Sequence, residues 1–563
     1  MTIRLTLIFM LVGTICFAQK NNAKRSEEIK TIELTSQQKD SILKIIYNRM
    51  YEASGTSKIK PEVNIKKNKA QIATYTPSKN TPTISLENEA FTICQSMGVR
   101  RDDAIAYLLS HEIGHHLTYD FWEGNYQDFD IRIKDSLVLK YGLDSLKNTA
   151  KYTIKTLQEI KADEKGGILR YMAGYSSENL TESLFEAIYS KYTNLKDTMK
   201  CYPPLQDRIS ISKIADSRAR SFINIFEVAN FSVLLKDYDF AISQYIALQS
   251  EFEFYSREIY NNIGVVYYLK ALELSDEDDI KFIYPVEIDL ESRIQSDRGS
   301  KGVNKLKVIE FLNKANENFK EATNRDPNYS TGFLNLACIQ TILGEDYYLA
   351  ISACNKAIKF SKNENEKQNA QLVLAIIGMS WDEGNKEKAT KMMNNLIIQG
   401  NEFAIMNKSI LEGKKWSELV FSKPLNHTEA LNESYRFTNK ITIEKINNIK
   451  GISDIIKANY NEVETFIYGN PAQTLETYYL NSAKVQLIHD KYFFITTKDN
   501  YADSTALKIK LGSTVEELKE KYGLPTVVLP AAQGYIYHYP KSKMMIVLNS
   551  SNIVTKWMVY EER

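Results

Sequence analysis

Histidine and glutamate residues with metal-ligand spacing occur at residues 108–117, which read LLSHEIGHHL. His111 and His115 are four residues apart, so on a helix both imidazoles lie on one face, one turn from each other. Glu112 lies one step further round the helix, so its carboxylate does not point at the zinc as a ligand. It can still reach a water molecule that the zinc polarises. The spacing therefore predicts zinc-dependent hydrolysis with Glu112 as the general base.

A later helical segment, QEIKADEKGG, supplies carboxylates for the same centre. An open catalytic zinc site needs a third protein ligand, and Glu159 can complete a His-His-Glu set. Asp163 lies one turn further on the same face, where it can hold a ligand histidine through its other ring nitrogen. Small residues surround both carboxylates and let the two helices lie close together: Gly114, Ala162, Gly166 and Gly167. The alternative is a solvated charged helix with incidental carboxylates.

His116 points about 100° away from His115 on a helical wheel, so we expect it to pack or support the site rather than to bind metal.

The elements that must position these residues alternate between helix and strand. Residues 37–54 have helical spacing, residues 68–76 and 81–88 alternate like strands, and residues 101–122 form the histidine-bearing helix. Asp102 or Asp103 places a negative charge in the first turn of this helix, where the helix dipole favours it. We expect an α+β zincin peptidase domain over residues 19–218.

Residues 1–18 are predicted to be a signal peptide. Arg4 precedes an apolar run over residues 5–18, which suits a secretory signal and is short for a spanning helix. Cys16 and Ala18 are the small side chains before a cut at Gln19; an uncleaved anchor or lipidation at Cys16 is the alternative. We expect an exported protein, periplasmic or secreted, without an integral membrane segment after cleavage.

The composition argues against nucleic-acid binding. The 563 residues include 71 basic and 70 acidic side chains, giving a net charge of +1. This balance leaves no electrostatic footprint for a polyanion. Five cysteines, one of them in the signal, show no C-x-x-C spacing, so the metal site is not expected to use sulfur.

Residues 219–415 read as repeated pairs of helices with Gly/Asp turns, as in 344–346, and alanines in the second helix of each pair. This pattern resembles tetratricopeptide repeats, with an insertion at 275–303; an irregular helical bundle is the alternative. The resemblance implies that the repeats bind protein partners. Cys338 and Cys354 fall on the two helices of one pair, and we expect buried thiols there rather than a disulfide.

The C-terminal region is predicted to be a small α+β module. A linker at residues 416–436 precedes it, and residues 437–563 contain strand patterns with one helix, TVEELKEKY. The sequence LGSTVEELKEKYGLP and the strands after it resemble the helix-plus-sheet modules of bacterial outer-membrane assembly lipoproteins. The fold class is therefore multidomain.

Three segments, HEIGHH, EIKADEKGG and YPPLQDRI, are similar in order and spacing to the HtpX-like and prenyl-protease-like gluzincin metallopeptidases. That family shows H-E-x-x-H, then E-x-x-A-D, then a His-Pro segment ending in Arg-Ile. The resemblance covers roughly residues 60–215. It implies an endopeptidase binding one Zn²⁺ through His111, His115 and Glu159, and it implies that the strand at 68–76 pairs with an extended substrate.

One position departs from the family pattern. Tyr202 stands where the family has a histidine near the metal, followed by Pro203. The tyrosine hydroxyl can donate to a developing oxyanion, it can occupy the open metal position and keep the enzyme latent, or the side chain can merely pack.

An exported peptidase joined to helical repeats resembles the periplasmic BepA-type protease-chaperones. This implies cleavage of protein or peptide substrates in envelope quality control. The alternative is a chaperone or assembly scaffold whose peptidase fold is latent or weakly active.

Overall fold

The computed structural model describes residues 34–125, 154–192, 205–287, 305–414 and 462–562, apart from single positions and short stretches within these ranges. The described chain is multidomain and mainly helical, with a separate β-sheet region near the C-terminus. This organisation confirms the coarse fold class expected from the sequence. The expected signal peptide at 1–18 and the linker at 416–436 lie outside the described residues.

The helices of the described residues, numbered in chain order, are α1 Ser36–Ala53, α2 Asn88–Ser96, α3 Arg101–Asn125, α4 Ile154–Met172, α5 Thr181–Lys191, α6 Leu205–Leu234, α7 Tyr238–Phe252, α8 Arg257–Glu273, α9 Lys305–Arg325, α10 Ser330–Leu343, α11 Tyr347–Phe360, α12 Glu364–Trp381, α13 Lys386–Ile398, α14 Glu402–Leu411 and α15 Val515–Tyr522. The strands are β1 Glu62–Lys66, β2 Ala73–Thr76, β3 Thr83–Glu87, β4 Glu462–Tyr468, β5 Gln473–Tyr479, β6 Ala483–Ile488, β7 Tyr492–Thr497, β8 Val527–Ala531, β9 Gly534–Tyr539, β10 Met544–Asn549 and β11 Val554–Glu562.

The N-terminal region combines a three-stranded sheet with helices α1 to α5. The sheet order is β1-β3-β2, with β1 parallel and β2 antiparallel to β3. The segments expected as strands at 68–76 and 81–88 contain β2 and β3, whereas β1 was not anticipated. Its sequence, EVNIK, is short and half-buried, so its alternation is weak.

Helix α3 runs through the middle of this region. Every residue from Ala104 to Gly114 is buried, so the helix has no solvent face along this stretch. A helix that is buried all round must be covered by neighbours on every side. Helices α1, α2 and α4 and strands β2 and β3 all contact α3.

Helices α3 and α4 approach each other at two glycines. A Cβ on Gly114 would lie 2.4 Å from the carbonyl oxygen of Ala162, and a Cβ on Gly166 would lie 2.9 Å from the carbonyl carbon of Ser110. Both obstacles are backbone atoms, which cannot move aside as a flexible side chain can. The separation of the two helices is therefore set by the absence of side chains at these positions.

Consecutive helices from α6 to α14 pack against one another as helix pairs. The turn between α10 and α11 places Gly344 in the left-handed conformation (φ 69°), and Asp346 then caps α11 by accepting from the amides of Tyr348 and Leu349. Cys338 and Cys354 are buried free thiols in this pair. Helix α6 is continuous through residues 218 and 219, so it joins the N-terminal region to the helix pairs.

The C-terminal region contains a sheet of eight strands in the order β4-β5-β6-β7-β11-β10-β9-β8, with every neighbouring pair antiparallel. The sheet is larger than the small module that the sequence predicts. The run KVQLIHDKYFFITT forms two strands, β6 and β7, and glutamates and threonines in EVETFIY and QTLETYY obscure the alternation of β4 and β5. Helix α15 begins with a capping box between Thr514 and Glu517.

One face of the large sheet packs against helices α6 and α7. Phe231 and Phe494 have ring centroids 5.3 Å apart, and Phe252 and Phe466 have centroids 5.5 Å apart. Polar contacts border these rings, including a hydrogen bond from Arg220 Nε to Glu464 at 2.8 Å. The opposite face forms its own core with α15, so helices cover both faces of the sheet.

No helix in the described ranges combines the length and the hydropathy needed to cross a bilayer.

Gly114→Ala tests the contact between α3 and α4. The added methyl would overlap the Ala162 carbonyl, so we expect a loss of unfolding free energy of about 1–3 kcal/mol, and more if the backbone cannot shift. Chemical denaturation monitored by circular dichroism measures it. Gly378→Ala in α12 is the control, because there the new Cβ meets only the Ala389 methyl at 3.0 Å. An equal loss in both variants would contradict the close-approach argument.

Candidate metal centre

The donor atoms of His111, His115 and Glu159 converge where α3 faces α4. The Nε2 atoms of the two histidines are 3.1 Å apart. Glu159 Oε2 lies 3.2 Å from His111 Nε2, and Glu159 Oε1 lies 3.5 Å from His115 Nε2. All three donor atoms lie within 4.8 Å of one another. The histidines come from adjacent turns of α3, and the carboxylate comes from the first half of α4.

These separations fit a single zinc ion. Zinc binds imidazole nitrogen and carboxylate oxygen at about 2.0–2.2 Å, so a tetrahedral site has neighbouring donors about 3.3 Å apart. The 3.1 Å between the two nitrogens and the 3.2 Å and 3.5 Å from His111 and His115 to the two different oxygens of Glu159 lie near that value. Two nitrogens and one oxygen are donors that zinc accepts readily. The His115 side chain is 24% exposed and that of Glu159 is 20% exposed, so both donors keep partial contact with solvent.

Asp163 orients His111 from the opposite side of the ring. His111 Nδ1 lies 2.7 Å from Asp163 Oδ1. A carboxylate only accepts hydrogen bonds, so Nδ1 carries a proton and Nε2 is the ring nitrogen left to bind a metal ion. Asp163 is one turn after Glu159 on α4, and its side chain is 1% exposed.

Arg208, in the first turns of α6, balances the buried charge of Asp163. Its Nη2 donates to Asp163 Oδ1 at 2.9 Å, and its Nη1 donates to Oδ2 of the same carboxylate. This two-point pairing fixes the plane of the carboxylate as well as its charge. Three helices, α3, α4 and α6, are therefore tied together through His111, Asp163 and Arg208.

The charges of the cluster shift its pKa values strongly. Burial disfavours protonation of the His111 ring, but the Asp163 carboxylate and the hydrogen bonds that the ring donates to Asp163 and Glu159 outweigh it and raise the pKa of His111 to about 10. Burial also disfavours an ionised Glu159, but hydrogen bonds from His111 and His115 hold the pKa of Glu159 well below its usual range. The cluster without metal thus holds a proton that a metal ion must displace.

Glu112 and His116 flank the two histidines along α3. Glu112 is 7% exposed, and no residue in the described ranges is hydrogen-bonded or ion-paired to its carboxylate. His116 turns away from the cluster: its Nδ1 lies 3.0 Å from the Tyr75 hydroxyl on β2, and the two ring centroids are 5.3 Å apart. His116 therefore contacts the small sheet and not the three donors.

The structure brings together four of the six site residues that the sequence singles out, namely His111, His115, Glu159 and Asp163. A fifth, Glu112, follows His111 on α3. The sixth, Tyr202, lies outside the described residues, and its role stays a prediction.

Sequence reasoning gave no role to two arginines that organise the centre. Arg208 pairs with Asp163, and Arg170 donates to Ser110 Oγ and to Asp216 Oδ1, each at 2.8 Å. Arg170 also lies over the Tyr107 ring, 4.2 Å from its centroid. The only signal in the sequence was the place of Arg208 in YPPLQDRI, because helix periodicity does not show which distant charges meet.

Comparison with known proteins gives no matching family model and no matching curated relative.

Removing one donor should abolish metal binding. We expect the native chain to hold one zinc per chain, and His111→Ala or Glu159→Ala to lose it, because two remaining ligands cannot hold zinc against dialysis. Elemental analysis after dialysis measures the content. His116→Ala is the matched control from the same helix and should keep its zinc. If His116→Ala lost metal as readily as His111→Ala, the donor assignment would be wrong.

Metal affinity should fall as the pH falls. The pKa of metal-free His111 is raised to about 10, so below that pH the ring is protonated and zinc must displace the proton. We expect the dissociation constant to rise about tenfold per pH unit between pH 8 and pH 6, with proton release on binding. Competition titration with a chromophoric chelator, corrected for the chelator's own protonation, measures this slope. A dissociation constant independent of pH would contradict the protonated state of metal-free His111.

Proposed function

We propose that this chain is a zinc-dependent endopeptidase of the H-E-x-x-H gluzincin type, similar to the HtpX-like and prenyl-protease-like metallopeptidases. The observation that carries the proposal is the convergence of His111, His115 and Glu159, with Glu112 beside them on α3. Among the described residues the group has three donors, which is the number that a catalytic zinc site takes from the protein, whereas structural zinc sites are closed by four.

A zinc ion at these donors would polarise the carbonyl group of a peptide and lower the pKa of water. Glu112 then acts as the general base that takes a proton from the attacking water and delivers it to the leaving amine. Its carboxylate suits this role because no described residue occupies it. Asp163 and Arg208 keep His111 in the tautomer that presents Nε2.

The edge of the small sheet is the proposed site for the substrate main chain. Strand β2 lies at an edge of the order β1-β3-β2, and no described strand pairs with its other side, where an extended peptide could add. The contact between Tyr75 and His116 holds this strand beside α3. A peptide added to β2 would thus run past the helix that carries the metal donors.

The proposal also assigns a role to each of the other regions of the chain. Residues 19–218 form a zincin peptidase domain, and residues 219–415 form tetratricopeptide-like repeats that bind protein partners or substrates. Residues 437–563 form the C-terminal module. Residues 1–18 direct export to the periplasm or the exterior, where the chain acts in envelope protein quality control. Tyr202 serves in this scheme as an oxyanion donor or as a latch, or it only packs beside Pro203.

The competing function is a chaperone or scaffold with a latent peptidase fold. Its support is the size of the helical and β-sheet regions beyond the metal centre and the tyrosine at position 202. Against it stands Glu112, which binding alone does not require.

Glu112→Gln separates the two functions. The amide cannot accept the proton, so we expect casein hydrolysis to fall about 10²–10⁴-fold while the zinc content stays at one per chain. Chelator treatment should stop the native enzyme, and added zinc should restore it. Glu52→Gln is the control, since it makes the same change at an exposed carboxylate of α1. No hydrolysis by the zinc-loaded native chain would favour the scaffold.

A further inference from the structure

Asparagines line the inner side of the helix pairs. Helix α8 contributes Asn261, α10 contributes Asn335, α12 contributes Asn369 and α14 contributes Asn407. Each is at most 1% exposed. Alternate helices thus supply a row of buried carboxamides, groups with one acceptor and two donated hydrogens. Burying such groups is costly unless their hydrogen bonds are met.

Residues 281–287, which read KFIYPVE, lie along this row of asparagines. The segment belongs to neither a helix nor a strand of the structure. Ile283 is 4% exposed, Val286 is 2% exposed and Glu287 is fully buried. The Ile283 side chain packs among Leu372, Ile376 and Phe403. A stretch of non-helical chain, buried mainly at Ile283 and over residues 285–287, therefore lies against α8, α10, α12 and α14.

The main chain of Glu287 is held by two of the asparagines. Its amide donates to Asn335 Oδ1 at 2.7 Å, and its carbonyl accepts from Asn335 Nδ2 and from Asn261 Nδ2. Asn335 Nδ2 also donates to Asn261 Oδ1 at 2.9 Å, which orients both carboxamides.

Ile283 is held in the same way by Asn407. The Ile283 amide donates to Asn407 Oδ1 at 2.8 Å, and the Ile283 carbonyl accepts from Asn407 Nδ2 at 2.8 Å. One carboxamide thus pairs with both main-chain groups of one residue, as a neighbouring β-strand would. The Glu287 carboxylate accepts from Asn369 Nδ2 at 3.0 Å, and Asn369 in turn accepts from Asn401.

Contacts of this kind recognise a peptide main chain and are blind to most of its side chains. Asn335 and Asn407 bind the main-chain groups of two residues that lie four positions apart. Any extended segment can therefore make these contacts, whatever its side chains. The pocket around Ile283 and the amide of Asn369 add a preference for an apolar residue followed, four positions later, by an acidic one.

We propose that this asparagine-lined groove binds an extended segment of another polypeptide, and that residues 281–287 occupy it as an internal competitor. The external ligand is an unfolded stretch carrying an apolar residue and an acidic residue in the order of Ile283 and Glu287. The inference rests on the proposed function in that the groove would hold protein substrates for the peptidase region. A competitor tethered in the same chain acts at roughly millimolar effective concentration, so a foreign segment must displace it.

The test measures binding of a synthetic KFIYPVE peptide, capped at both ends and labelled on the lysine, by fluorescence anisotropy. The receptor is the full chain with Glu112→Gln, so cleavage plays no part and binding is scored separately from peptidase activity. A second receptor also carries Ile283→Ser, Tyr284→Ser, Val286→Ser and Glu287→Ser, which weaken the internal segment and keep its length. We expect the second receptor to bind the peptide at least about tenfold more tightly.

Matched controls isolate the main-chain contacts. N-methylation of the peptide at the positions of Ile283 and Glu287 removes the two amide donors and should weaken binding about tenfold or more. N-methylation at the position of Tyr284, whose amide donates to no described residue, should have a smaller effect. A receptor that also carries Asn335→Ala and Asn407→Ala should bind the unmethylated peptide as weakly as the receptor with both asparagines binds the doubly methylated peptide.

If the four-serine receptor fails to fold, hydrogen exchange of the native chain tests the same proposal. Excess peptide should speed deuterium uptake by residues 281–287 while α10 and α12 stay protected. If the peptide leaves this exchange unchanged, or if the folded four-serine receptor binds no better than the native sequence, residues 281–287 are a fixed part of the fold and the proposal fails. A native chain that does not hydrolyse casein would contradict the proposed peptidase function but would not change the outcome of these binding and exchange measurements.

Discussion

The contact between α3 and α4 is the constraint on which the centre depends. Gly114 faces the Ala162 carbonyl and Gly166 faces the Ser110 backbone at distances that exclude any Cβ. This approach brings the carboxylate of Glu159 within 3.5 Å of both histidines of α3. A wider separation of the helices would leave the donors too far apart for one zinc ion. The geometry of the centre is thus set by two missing side chains as much as by the donors themselves.

Electrostatic balance is the second requirement, because the donors lie in a largely buried site. Asp163 is charged and nearly inaccessible, and it is stabilised by Arg208 on one side and by His111 on the other. Burial opposes ionisation of Asp163, but these two cations hold the pKa of its carboxyl below its usual range. Removing either partner would leave an uncompensated charge in the interior. The same ion pair that orients His111 also joins α6, and through it the helix pairs, to the proposed metal centre.

The sequence predicts the parts of this site that are local. Two i, i+4 pairs on helices, His111 with His115 and Glu159 with Asp163, follow from the helical repeat alone. The contact between Asp163 and Arg208, and the groove that encloses residues 281–287, join segments far apart in sequence. The spacing of apolar residues along the sequence does not indicate which distant segments come into contact. Single asparagines on α8, α10 and α12 look like ordinary polar residues of a helix until the fold aligns them. The C-terminal sheet was underestimated for a related reason, since polar residues interrupt the alternation of β4 and β5.

Diffraction from crystals of the zinc-loaded chain, recorded on both sides of the zinc absorption edge, tests the central claim most directly. The account predicts one anomalous peak per chain, about 2.0–2.2 Å from His111 Nε2, His115 Nε2 and a carboxylate oxygen of Glu159. Asp163 should remain bonded to His111 Nδ1 and make no contact with the metal. A peak elsewhere in the chain, or a metal bound without Glu159, would contradict the proposed centre and the hydrolytic function built on it.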